Sequence, residues 1–156
     1  GDLSAKVGGV VPSLEEDPEA GFDPNNVFAP KDQRKVDRFI LFGLAAVEEA
    51  LAQANWKPTS ETECLRTATI VASGIGGFLA ITEAVRTVDT RGVRRLSPFT
   101  IPSFLVNLAA GHISIRYGFK GPLGAPVTAC AAGIQAIGDA ARLIRADEAD
   151  IAVCGG

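Results

Sequence analysis

The feature that most constrains this chain is the run Pro126-Val127-Thr128-Ala129-Cys130-Ala131-Ala132-Gly133-Ile134, a strand-like stretch that turns through a cysteine into a helix. Beyond Cys130, Ile134, Ile137, Ala141 and Ile144 recur at three- and four-residue spacing, with Asp139, Arg142 and Arg145 on other faces. That period predicts an amphipathic helix with the isoleucines on its apolar face. The small residues Ala129, Ala131, Ala132 and Gly133 permit a tight turn and leave the sulfur uncrowded. A thiol at a helix N-terminus faces the positive end of the macrodipole and unpaired backbone N–H groups, a setting that favours the nucleophilic thiolate. On the residues alone two readings stand: a nucleophile, or a buried cysteine acting as a small hydrophobe.

The same grammar appears upstream. Ala68 to Ser73 is β-rich and reads as a central strand, ending in Ser73-Gly74-Ile75-Gly76-Gly77 before a helix from about Phe78 to Val88. A glycine turn between strand and helix can cradle phosphate. Here there is no GxGxxG, no P-loop lysine and no acidic residue ending a following strand, so close approach to another helix or ligand explains the glycines better.

Other segments follow the same rules. Val36, Phe39, Ile40, Leu44, Val47, Leu51 and Ala54 share one face of a helix expected from about Asp32 to Asn55. Its first turns carry Lys31, Arg34, Lys35 and Arg38, cations at the wrong end of the dipole, which suits either a solvated or a partner-facing surface. Asp89 to Leu96 is a basic loop with Arg91, Arg94 and Arg95. A third helix is expected from Pro102-Ser103 to a Gly118 cap, burying Phe104, Leu105, Leu108, Ala109 and Ile113, with His112 among them as a structural histidine. Gly1 to Ala29 is loop-like, with a short strand at Val7, Val10 and Val11, and Ile151 to Cys154 is a final strand. Strands alternating with helices give a layered α/β fold.

Length and composition narrow the class. A chain of 156 residues, 47% hydrophobic, buries one core and reads as one domain spanning residues 1–156. A net charge of −3 gives no pull toward nucleic acid or anionic membrane. Cys64, Cys130 and Cys154 are odd in number and lack CxxC spacing, which fits a reduced, cytoplasmic protein. With the single His112 they make no zinc pattern, so no metal and no cofactor is expected. The apolar run Phe39 to Val47 is far shorter than the ~20 residues of a membrane span. With no Met and a last strand at the very end, the chain reads as truncated at both ends.

Five motifs in register resemble the β-ketoacyl-[acyl carrier protein] synthases, and within them synthase II, the elongating condensing type. They are Lys31-Asp32-Gln33-Arg34-Lys35-Val36-Asp37; Ser73-Gly74-Ile75-Gly76-Gly77; Ser97-Pro98-Phe99 with Pro102-Ser103 and Asn107; Ala110-Gly111-His112; and Thr128-Ala129-Cys130-Ala131-Ala132-Gly133. The resemblance runs from about Ala29 to Gly156 and implies the N-terminal half of a thiolase-like fold, without that fold's first strand and C-terminal half.

The resemblance implies a mechanism. Cys130 would accept an acyl chain from acyl carrier protein as a thioester, its own N–H serving as one oxyanion donor. The carbanion left when malonyl-carrier protein loses CO₂ would then attack the acyl group. The family's two histidines, its lysine and its second oxyanion donor belong to the other half, and His112 does not replace them. Ile75 would line the acyl tunnel; Thr100, Ile101 and Leu105 would reach the partner's tunnel in a homodimer; and Lys31, Arg34, Lys35, Arg94 and Arg95 would dock the carrier protein. In the family the strand before the cysteine pairs across the dimer axis, yet Pro126 has no N–H for that ladder and Gly124 weakens it. A polyketide ketosynthase or a thiolase would share the fold. Thiolases use free coenzyme A, against which a carrier-docking patch argues. A non-catalytic chain-length subunit lacks the nucleophile, against which Cys130 argues.

Overall fold

The computed structural model describes residues 4–156. In order, its elements are α1 (Pro30–Gln33), α2 (Arg38–Ala54), α3 (Glu61–Leu65), β1 (Thr67–Val71), α4 (Phe78–Arg91), α5 (Thr100–Phe104), α6 (Leu108–Tyr117), β2 (Leu123–Gly124), α7 (Ala132–Arg145) and β3 (Ile151–Gly155). The three strands form a parallel sheet in the order β2-β1-β3, with Thr69 opposite Leu123 and Val153. Every residue of β1 is buried, as its β-branched run demands for a central strand.

Successive β1 side chains enter opposite layers. Val71 joins Ile40, Leu41, Leu44 and Val47 of α2 and Ala109, Ala110 and Ile113 of α6. Ile70 faces the other way, onto Ala132, Ala136 and Ala140 of α7. Helices therefore cover both faces of the sheet, the layered α/β arrangement expected. At the strand starts, the Arg66 guanidinium bonds Asp147 and Asp150, each at 2.5 Å, and so ties β1 to the turn entering β3.

Several expectations are corrected. The long first helix is two pieces. Asp37 is extended and caps α2, accepting from the Phe39 amide at 3.3 Å, so of the four cations only Arg38 lies in that helix. Lys31, Arg34 and Lys35 precede it. The third helix likewise breaks at Leu105-Val106-Asn107 into α5 and α6, which leaves Leu105 exposed.

Val7 and Val10 are exposed and form no strand; the arm is held instead by one bridge between Ser13 and Phe22 and by Arg38 donating to the Val11 carbonyl. β2 stops at Gly124, so Ala125 to Thr128 lie outside the ladder and Pro126 has no N–H to extend it. On α7 the apolar face is inverted. Alanines pack on the sheet, where small side chains allow close approach, while Ile134, Ile137 and Ile144 stay exposed.

Candidate active site

Cys130 sits in a single 3₁₀ turn, Ala129–Ala131, that feeds directly into α7. Its sulfur-bearing residue is exposed. The N-cap of α7 is Ala131, which has no side chain able to satisfy the first amides of the helix. The preceding residue, Ala129, has φ of +48°. For a residue with a Cβ the left-handed region costs roughly 1–2 kcal/mol, and such strain collects at functional positions.

Glycines bring three chain ends together around this turn. A Cβ at Gly74 would lie 3.3 Å from the Ala129 carbonyl, and one at Gly133 would lie 2.5 Å from that of Gly156. A Cβ at Gly156 would in turn overlap the Ala72 carbonyl. The thiol thus stands at the carboxyl ends of β1 and β3, where open parallel sheets place their sites. Cys64 is half-buried in α3, and desolvation on the sheet pushes the Cys154 thiol up, which disfavours its thiolate. Among the described residues, no group of three or more His, Cys, Asp and Glu is arranged to hold a metal.

The glycine turn after β1 is equally constrained. The Gly76 amide donates to Ser73 Oγ at 3.0 Å, and Gly76 takes φ of +79°. The Gly77 amide donates to the Phe104 carbonyl at 3.0 Å, so the turn bearing Ile75 is fastened to the end of α5. That segment carries Thr100, Ile101 and Leu105. Ile75, Ile101 and Leu105 are exposed, and Thr100 is half-buried. An apolar cavity of about 730 Å³ runs from Gly74 and Gly156 along α2 to Trp56, and none of those four residues lines it.

The cationic residues come from two segments that converge on one cleft of about 450 Å³, lined by Arg34, Arg38, Arg95, Asp37, Glu83 and Phe99. Lys31 and Arg94 are exposed but do not line it. Lys35 is partly spoken for: its Nζ pairs with Asp32 at 2.6 Å and lies 5.3 Å from the Phe99 ring centre. Among the described residues, Lys31, Arg34, Arg94 and Arg95 form no ion pair.

His112 packs edge-on against Phe28 with ring centres 5.9 Å apart, and Arg116 covers the same Phe28 ring. Burial, then the Arg116 charge, holds its imidazole below the usual range. The residue that sequence reasoning missed is Asp37. Besides capping α2, its Oδ2 accepts from the Ala80 amide in the first turn of α4 at 2.9 Å.

Fold and site define an α/β protein with an exposed thiol on a strained loop at the strand ends. The chain belongs to the family described as β-ketoacyl synthase, N-terminal domain, whose profile matches residues 2–156. It is 46% identical over 155 residues to the 3-oxoacyl-[acyl-carrier-protein] synthase 2 of Rhizobium meliloti, covering 99% of this chain and 37% of that protein. It is 47% identical over 125 residues to the mitochondrial 3-oxoacyl-[acyl-carrier-protein] synthase of Arabidopsis thaliana, covering 80% and 27%. The chain thus spans about a third of the length of these curated relatives. A type II polyketide synthase ketosynthase, solved in complex with its acyl-carrier protein, superposes with a TM-score of 0.77 at 27% identity, covering 85% of this chain and 38% of that one. The fold is thiolase-like.

Proposed function

We propose that this chain is the acyl-accepting part of a 3-oxoacyl-[acyl carrier protein] synthase. The observation that carries the reading is the exposed Cys130 on its strained turn, beside the uncapped start of α7. The Cys130 thiolate attacks the thioester carbonyl of an acyl-carrier protein; a new C–S bond to Cys130 forms, the carrier's C–S bond breaks, and the departing carrier thiolate takes up a proton. The Cys130 amide donates to the developing oxyanion. Malonyl-carrier protein then loses CO₂, and its carbanion attacks the acyl-enzyme, releasing Cys130 and the lengthened 3-oxoacyl product. The groups that drive decarboxylation lie in the remainder of the enzyme. The outward stripe Ile134, Ile137 and Ile144 offers an apolar face against which such a remainder can pack.

In this reading residues 1–156 form one domain, and Ile75 walls the acyl tunnel, fixed beside the nucleophile through the contact of Gly74 with Ala129. Thr100, Ile101 and Leu105 extend the wall toward a second subunit of a homodimer. Lys31, Arg34, Lys35, Arg94 and Arg95 receive the acidic carrier protein, with Arg34 and Arg95 already sharing a cleft. No described helix is long and apolar enough to cross a membrane. We place the enzyme in the cytoplasm, where free thiols such as Cys64, Cys130 and Cys154 stay reduced. Incubating the full-length enzyme with acyl-carrier protein and mapping the adduct by mass spectrometry tests the reading. The acyl group is expected on Cys130; its appearance on Cys64 or Cys154 instead overturns the assignment.

A further inference from the structure

The turn that bears Ile75 has no cap of its own. α4 begins after Gly77, which has no side chain to satisfy the amides of the first turn. That need is met from 43 residues away, because Asp37 Oδ2 accepts from the Ala80 amide at 2.9 Å. The other oxygen of the same carboxylate caps α2 through the Phe39 amide at 3.3 Å. One side chain therefore closes the N-termini of two helices. Its backbone joins a third element, since the Asp37 amide donates to the Ser103 carbonyl at 3.1 Å, next to the Phe104 carbonyl that receives the Gly77 amide. Gly77 is what makes this possible: a Cβ there would come within 2.8 Å of the Asp37 Cβ and 2.7 Å of the Phe104 Cα.

We propose that Asp37 is a positioning residue for acyl chain-length selection, holding the Ser73–Gly77 turn, and with it Ile75, rigidly beside the Cys130 loop. The inference rests on the tunnel role proposed above for Ile75. Ile75 is itself 65% exposed and has little packing of its own to fix it. Its position is inherited from the two ends of its turn. One end is the Gly74 contact with Ala129; the other is α4, fastened by Asp37. Cutting the Asp37–Ala80 bond leaves the α4 end held by the Gly77–Phe104 bond alone, so a wall that discriminates by position yields more readily to a longer chain.

The test uses the full-length enzyme and the ratio of twelve-carbon to six-carbon acyl transfer onto Cys130. Both rates come from one sample, so any loss of folded protein cancels. Ile75→Phe alone is expected to lower the ratio by blocking the longer chain. Asp37→Ser keeps a good cap on α2 but is too short to reach Ala80. Added to Ile75→Phe, it is expected to restore the ratio by about fivefold, what losing one helix cap does to a local equilibrium. Asp37→Asn, which keeps the shape but has only one accepting oxygen, is expected to restore it in the same direction. If Ile75→Phe lowers the ratio and neither Asp37 variant restores it, Asp37 is merely structural and the inference falls while the tunnel stands. If Ile75→Phe leaves the ratio unchanged, the tunnel reading falls, and the role of Asp37 falls with it.

Discussion

Replacing Gly77 with alanine is the sharpest test of how the site is built. The new methyl would sit 2.7 Å from the Phe104 Cα and 2.8 Å from the Asp37 Cβ. Neither neighbour can swing aside as a flexible side-chain end would. Both belong to segments pinned by backbone bonds, Gly77 to Phe104 at 3.0 Å and Asp37 to Ser103 at 3.1 Å. Overpacking of this kind costs roughly 1–3 kcal/mol. Displacing Asp37 from the Ala80 amide removes a helix cap and adds about 1 kcal/mol. At an ordinary φ of −81°, alanine's smaller unfolded-state entropy offsets about 0.4–1 kcal/mol of this. The net is about 1–3 kcal/mol, and at this chain length each kcal/mol moves Tm by roughly 2–4 °C, so a fall of roughly 5–10 °C is expected.

Gly111→Ala is the matched control. Its added Cβ meets no atom within 4 Å, and the Gly111 amide already donates to the Asn107 carbonyl at 2.9 Å in regular helical fashion. A glycine removed from a helix interior stabilises by about 0.5–1 kcal/mol, so Tm should rise by a few degrees. Thermal unfolding followed by circular dichroism reads both changes. If the two alanines shift Tm by similar amounts, or Gly77→Ala leaves it unmoved, the tight junction of Asp37, Gly77 and Phe104 is not what holds the turn.

Two further predictions concern charge. Reversing Arg94 and Arg95 to glutamate in the full-length enzyme should raise KM for acyl-carrier protein about tenfold more than for a small acyl thioester, and should flatten the salt dependence of binding; an equal loss with both substrates would make these arginines structural. His112 is held below its ordinary value by burial and Arg116, so between the folded value and the unfolded value of about 6.5 the unfolded chain binds the extra proton. Stability is then complete above that window and is lost as pH falls through it; His112→Gln should make Tm less sensitive between pH 7.5 and 5.5, and an unchanged slope would refute the assignment.

How much of this could be read from the residues depends on the range of each signal. β1, α4, α7 and β3 were legible because hydrophobic period and glycine punctuation are local. The breaks at Asp37 and at Leu105–Asn107 were not, since the apolar spacing continues across both. Asp37 even carries a local capping signal, yet the lysines and arginines around it continue the pattern of one long cationic helix. Its second role, on Ala80, lies 43 residues on and leaves no local trace. Cys130 was legible from the small residues that crowd around it. The strain was not, because φ of +48° at Ala129 is imposed by what closes on it from the strand ends.

The inverted face of α7 shows why small residues matter more to this site than large ones. Periodicity alone assigns Ile134, Ile137 and Ile144 to the core, because they carry the greatest apolar area. The sheet instead takes Ala132, Ala136 and Ala140. A helix resting on isoleucines would stand further from the sheet by the length of those side chains. The N-terminus of α7 would then rise with it, away from Gly156, whose carbonyl leaves room only for a glycine at position 133. Cys130 lies two residues before Ala132, so its distance from the strand ends is set by the same spacing. The alanines contribute little burial energy each, roughly one methyl apiece. Their contribution is positional: they seat the helix low enough for Gly74, Ala129 and Gly156 to converge. The isoleucines, relieved of that task, leave a second apolar face on the same helix. A helix apolar on two sides belongs between two layers, and α7 presents the first of those layers with the nucleophile at its tip.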